Sequence, residues 1–294
     1  MADEPHPCTL LVDNGSYRAE STLSLRRIAA ALGDEIGGKV HPVSLLHSTK
    51  VKPEDLDGEP AQIFEPFIKA QHEAHGTNSF LVVPFFFGHT AAIFEYLPQR
   101  VRDLREGWPE LDVRVAPCMV DLDDPSDRVV AGILADLVRR KAVEENIERP
   151  AVTLVDHGTP RIAVNQVRNL LADQLRKELG AEAAVVKASS MERREEPEYD
   201  FNEPLLENLL GSEGFERDVI LSMLFLSPGR HAGPGGDIAE ICEEAEKAHP
   251  GLTTYMSDLI ATHPRIVEVL AKRYWQGRES DPVREEVAPP KAAG

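Results

Sequence analysis

DVILSMLFLSPGRHAGPGGDIAEI, residues 218–241, passes from an apolar run through a glycine-rich loop into a helical pattern. Val219 to Leu226 is of strand length and apolar without alternation, as expected of a strand buried on both faces of a parallel sheet. Ser227, Pro228 and Gly229 then turn the chain. Asp237 stands where an N-cap belongs, and Ile238, Ile241, Cys242 and Ala245 follow at the spacing of one buried helical face. The stretch is therefore a strand-to-helix junction. In open α/β sheets ligands bind at such junctions, at the carboxyl ends of strands, which makes His231 and Asp237 candidate site residues.

Working outward, the second half of the chain repeats the first. Leu10–Ser16, LLVDNGS, parallels Thr153–Thr159, TLVDHGT. Phe80–Leu97, FLVVPFFFGHTAAIFEYL, parallels Val219–Ile238, and in both an acid follows the histidine by six positions, His89 to Glu95 and His231 to Asp237. Trp108–Pro117 parallels His249–Asp258, each leading into a terminal helix. Alternating strands and helices specify an α/β fold with parallel sheets and helices on both faces. Two similar lobes are expected, residues 1–147 and 148–276, facing across a cleft, with a Pro-rich, charged and disordered tail over 277–294. The strand-end turns of both lobes should line that cleft: Asn14 and His89 from the first, His157 and His231 from the second.

Composition narrows the function. The chain has 294 residues, ample for two cores, and 32 Lys and Arg against 50 Asp and Glu give a net charge of −18. That charge opposes nucleic acid, and any anionic small molecule must be held by local arginines. Apolar runs fall short of the roughly 18 residues a membrane span needs, and the N-terminus lacks the pattern of a signal peptide, so a cytoplasmic protein is expected. The three cysteines, Cys8, Cys118 and Cys242, are far apart and form no CxxC, which argues against a disulfide framework or a cysteine zinc site.

The histidines carry the chemical interest. His157 in VDHGTP ends a strand, and Gly158 allows close approach of a ligand to the backbone. Taken singly, His157 or His231 reads equally well as a structural residue bonding a turn. Together they occupy equivalent strand ends of one lobe, and two neutral imidazoles with the Asp237 carboxylate suit a divalent ion such as cobalt, nickel, iron or zinc. The first lobe keeps His89 but has Asn14 where the second has His157. Asparagine supplies no imidazole base, so the second lobe is expected to work. Arg161 and Arg230 flank the two histidines and are candidates for binding substrate carboxylates, the alternative being a solvent-facing role. Gly229–Gly236 fits neither GxxxxGK[ST] nor GxGxxG, so no nucleotide is expected. Met191–Glu198, MERREEPE, reads as a solvated loop. Thr159 and Ser227 are the nearby hydroxyls, but neither lies in the GxSxG elbow of a hydrolase.

With these motifs, PGRH followed by the acid-headed helix at Asp237 and Ile238, VDHGTP, and HPGLTTYMSDLIATHPRIVEVL (249–270), the chain resembles the class II metal chelatases of tetrapyrrole synthesis, the CbiX/SirB sirohydrochlorin chelatase family. The resemblance implies insertion of cobalt or iron, sometimes nickel, into sirohydrochlorin without a nucleotide. It implies His157 and His231 as the catalytic and metal-binding pair, Asp237 as a further metal-binding acid, and an anionic tetrapyrrole as substrate. Arg161, Arg230, His89 and Asn14 would contact that substrate. Asp237 or Glu95 would relay protons or attract the cation. Two lobes in one chain imply a monomer with pseudo-twofold symmetry. A non-catalytic tetrapyrrole or metal carrier with the same fold is the alternative. The chain departs from the family at Asn14 and in a longer loop between His231 and Asp237.

Overall fold

Every strand in the computed structural model, which describes residues 7–233 and 235–283, lies in one of two four-stranded, wholly parallel sheets. The first contains β1 (Cys8–Asp13), β2 (Val40–Ser44), β3 (Ser79–Pro84) and β4 (Asp112–Val115) in the order β2-β1-β3-β4. The second contains β5 (Ala151–Asp156), β6 (Val185–Ser190), β7 (Asp218–Met223) and β8 (Thr253–Met256) in the order β6-β5-β7-β8. The order is the same in both halves, so each sheet reverses its winding at one point. That point lies between β1 and β3 in the first sheet and between β5 and β7 in the second.

Strand alternation divides the apolar residues among three cores. Leu11, Leu81 and Val83 face the same cluster as Val152, Leu154 and Ile220 of the other sheet. Their neighbours Leu10, Val12, Phe80 and Val82 belong to a cluster private to the first sheet, and Val155, Val219 and Leu221 to one private to the second. Because both faces are covered, Leu10, Leu11 and Val12 are all fully buried, which is why these strands read as continuous apolar runs.

Helices fill the space between the sheets. α1 (Ala19–Ile36), α4 (Val129–Glu144), α5 (Ile162–Leu179) and α8 (Ile266–Arg278) all supply residues to the shared core. α2 (Phe64–His75), α3 (Leu97–Gly107), α6 (Leu206–Leu209) and α7 (Asp237–Ala248) carry residues of the two private cores. The last helix of each half crosses over: α4 packs on α5 and β7 of the second sheet, and α8 packs on α1, β3 and β4 of the first. Arg273 of α8, almost wholly buried, fixes the crossing by donating to Asp127 Oδ2 and Met119 O, each at 2.8 Å.

The chain differs from its sequence reading in places. Gly277 and Arg278 complete α8, and Pro282 and Val283 pair with Arg114 and Val113 beside β4, so the expected disordered tail begins with ordered residues. Its remainder, 284–294, lies outside the described residues. Strand β6, VVKASS, part-buried and without an apolar run, is the partner of β5 that the apolar runs did not reveal. No helix among the described residues is long and apolar enough to cross a membrane.

Candidate active site at the second strand-order reversal

His157 follows β5 and His231 lies in the loop after β7, so the sheet itself delivers both to its reversal point. Their ring centroids are 4.5 Å apart, edge to face at 69°. The backbone around His157 is tightly fixed. Asp156 Oδ1 accepts the Gly158 N–H at 3.1 Å, and His157 O accepts the Glu192 N–H at 3.1 Å. Gly158 has φ +92°, and a Cβ there would lie 1.9 Å from Glu192 O, so only glycine fits. The first lobe has the same turn: Asn14 O accepts the Leu46 N–H at 3.1 Å, and a Cβ on Gly15, φ +86°, would lie 1.7 Å from Leu46 O. This close approach is the physical meaning of the repeated Asp-x-Gly.

Hydrogen bonding fixes the imidazole tautomers. His231 Nδ1 lies 2.6 Å from Asp237 Oδ2; an ionised carboxylate only accepts, so Nδ1 carries the proton and Nε2 keeps its lone pair. His157 Nδ1 lies 3.1 Å from Gly158 O, a carbonyl, which leaves Nε2 as the lone-pair nitrogen there too. That Nε2 faces Glu192 Oε1 at 3.4 Å. One cation can bridge two such groups. Ligands about 2.1 Å from a metal ion sit roughly 3.4 Å apart at a tetrahedral angle, so the pair has the separation of two donors on one ion.

Glu192 is the site residue that the sequence reading assigned to a solvated loop. Its loop is solvent-exposed over 194–198, as expected, but is tied down by specific contacts. Asn202, fully buried, clamps the His157 turn by accepting the Thr159 N–H at 3.0 Å and donating to Thr159 O at 2.9 Å. Arg193 ties the loop to itself through Glu203 at 2.8 Å and Asp200 at 3.1 Å. The available signal was the repeat: Glu192 occupies the backbone position of Leu46, next to the strand-end turn.

The other expected residues are placed as follows. Asp237 is the first residue of α7 rather than its cap, which is Gly236, and its carboxylate is spent on His231. The expected three-ligand set of His157, His231 and Asp237 is therefore not assembled around one point, and no group of three or more His, Cys, Asp or Glu side chains suited to a metal ion occurs among the described residues. Arg230 extends into solvent, its side chain 82% exposed and 3.7 Å from Asp237. Arg161 pairs with Glu95 of the first lobe at 2.7 Å. Asn14 is exposed at the reversal point of the first sheet. His89, also exposed, stacks on Phe94 at 3.9 Å. Loss of water around its ring lowers its pKa, against the pull of Asp121 and Asp123.

The buried aspartates behind the two turns differ. Asp156 lies 3.7 Å from Arg168, which also reaches Ser190 Oγ and Asn202 O; burial nonetheless raises the Asp156 pKa. Asp13 has hydrogen bonds from Ser44 and Gly15 but no ion pair among the described residues, and burial pushes its carboxyl up to about 6.

Residues 151–276 match the family model CbiX. The whole chain is similar in fold to SirB from Bacillus subtilis with Fe3+, with a TM-score of 0.67 and 14% identity over 92% of this chain and 95% of that one. A similar match is SirB from Bacillus subtilis subspecies spizizenii in complex with cobalt, at 0.65, 14%, 92% and 95%. CbiX, described as the terminal enzyme for biosynthesis of siroheme in denitrifying bacteria, matches at 0.53 and 14% over 90% of this chain and 97% of that one. No curated protein sequence matches significantly.

Proposed function

We propose that this chain, whose residues 151–276 match the CbiX family model, is a class II chelatase of the CbiX/SirB kind that inserts a divalent metal ion, cobalt or iron, into sirohydrochlorin or a closely related tetrapyrrole. The observation that carries the reading is the set of acceptors at one strand-order reversal: His157 Nε2 facing Glu192 Oε1 at 3.4 Å, with the His231 ring 4.5 Å from that of His157. Histidine and carboxylate donors accept cobalt, iron and nickel alike, so the donor set supports a divalent ion without ranking the metals.

In this mechanism the ion draws together donors that the free protein does not hold preassembled: His157 Nε2 and Glu192 Oε1, 3.4 Å apart, take it first and His231 Nε2 closes on it, while Asp237 orients His231 from behind, as carboxylates behind metal-binding imidazoles do. Insertion of M2+ replaces two N–H protons of the macrocycle. As the ion moves to the pyrrole nitrogens it frees the imidazole lone pairs, and these take up the two protons. The metal and the protons thus exchange at the same atoms. Asp237, 2.6 Å from His231 Nδ1, keeps that ring aimed throughout the exchange. Arg161 and Arg230, beside the two histidines, are assigned to carboxylates of the macrocycle, which a chain of net charge −18 must attract locally. His89 and Asn14, beside strand ends of the first lobe, are assigned to the opposite side of the cleft.

The test is an anaerobic absorbance assay with sirohydrochlorin and Co2+ or Fe2+, on the wild type and on His157→Ala, His231→Ala and Glu192→Ala. Catalytic conversion lost in all three variants, with circular dichroism unchanged, is expected. Undiminished turnover in His157→Ala rejects the assignment. A spectral change that saturates at one equivalent of protein instead identifies a carrier.

A further inference from the structure

Three of the contacts between the lobes involve residues close to the strand-end turns. At the first a backbone meets a side chain: a Cβ on buried Gly88 would lie 2.5 Å from Val167 Cγ2 of α5. In the second, buried Ser21 donates to Pro228 O at 2.9 Å. The third is of another kind. Glu95 Oε1 and Arg161 Nη2 form an ion pair at 2.7 Å between side chains that are 56% and 42% exposed. Arg161 immediately precedes α5, four residues after His157. Glu95 lies in a π-helical turn, Ala92–Tyr96, whose wide loop is closed by the Leu97 N–H on Ala92 O. Such turns break the regular progression of side chains around a helix and recur at functional sites. Here the turn carries Glu95 to the other lobe.

Resting on the chelatase reading, we propose that Glu95 is a built-in substitute for a substrate carboxylate. It holds the Arg161 guanidinium across the mouth of the cleft in the free protein and yields it to a carboxylate of the incoming macrocycle. Both partners of Arg161 are carboxylates, so the exchange conserves the ion pair, and an exposed pair of this kind is weak enough to open readily. A ligand without carboxylates must break the pair and leave Arg161 unpaired. The latch therefore selects anionic macrocycles, although the chain as a whole repels anions. It also couples binding to release of the only ion pair among these three inter-lobe contacts.

The experiment measures the affinity of metal-free sirohydrochlorin by absorbance titration for the wild type, Glu95→Gln, Arg161→Ala and the double variant. Glu95→Gln is expected to bind about two- to fivefold more tightly, the range that loss of an exposed competing pair allows. Arg161→Ala should bind more weakly, and in that background Glu95→Gln should gain clearly less than it does in the wild type. The last comparison is decisive. Removal of one negative charge favours an anion in any background, whereas release of Arg161 matters only where Arg161 is present. Equal or weaker binding by Glu95→Gln, or a gain that is undiminished without Arg161, overturns the latch while leaving the chelatase reading in place. Absence of sirohydrochlorin binding by all four proteins overturns the chelatase reading and the latch with it.

Discussion

The two buried aspartates predict that one substitution has unequal effects in the two lobes. Asp13→Asn retains an oxygen for the Gly15 N–H, now 3.0 Å away, and offers an N–H to Ser44 Oγ. It removes a carboxyl whose pKa burial raises from 3.8 to about 6. The unfolded chain releases that proton near pH 4 and the folded chain near pH 6, so between these values the folded state binds more protons. Stability therefore falls as pH rises through this window, and the loss is complete above it. A difference of roughly two pH units corresponds to about 3 kcal/mol. Asp13→Asn should match the wild type near pH 4 and exceed it by up to about 3 kcal/mol at pH 7.5. Asp156→Asn is expected to gain less, because the Arg168 guanidinium 3.7 Å away favours the ionised carboxylate and offsets part of the burial that raises its pKa. Urea unfolding followed by the fluorescence of buried Trp108, at several pH values from 4 to 7.5, measures both. An Asp13→Asn curve parallel to that of the wild type, or lying below it at pH 7.5, would refute the linkage.

The site geometry yields further predictions. Asp237→Asn should lower affinity for Co2+ by about 10–100-fold with the fold intact, as loss of a carboxylate behind a metal-binding imidazole does. Competition with a chromophoric chelator measures it, and unchanged affinity would remove the orienting role. Gly158→Ala forces an alanine to φ +92° and places its Cβ 1.9 Å from Glu192 O, so Glu192 must move away from His157. The left-handed backbone alone should cost about 1–2 kcal/mol. Displacement of Glu192 by an ångström should slow insertion about a hundredfold at saturating substrate. A Gly158→Ala enzyme with wild-type turnover would separate Glu192 from the chemistry.

Much of the fold was legible because the physics behind it is local. A strand covered on both faces must be apolar at every position, so Leu10–Val12, Phe80–Val83 and Val219–Met223 stood out as runs. A turn in which a strand-end glycine approaches a neighbouring backbone needs Asp-x-Gly, so that motif marked the same point twice. Strand β6 was less visible because it is an edge strand that is only partly covered, so it carries lysine and serine where the central strands carry apolar residues. Glu192 was hidden for a related reason. It sits in a loop rich in charge, and what orders that loop is Asn202 and Arg193, contacts that no spacing in the sequence announces.

The sequence alone determined the α/β class, the duplication, and the strand ends at which His157 and His231 stand, since each follows from the period and composition of short segments. The tertiary structure decided how the halves exchange their last helices, α4 covering the second sheet and α8 the first. It also decided that Asp237 lies behind His231 rather than beside it, and that Glu192 meets His157 while Glu95 reaches Arg161. These are contacts between segments far apart in the chain, or choices among the rotamers of one side chain. Packing settles them, because the shared core between the sheets fixes where each strand-end turn lies before any polar group chooses its partner.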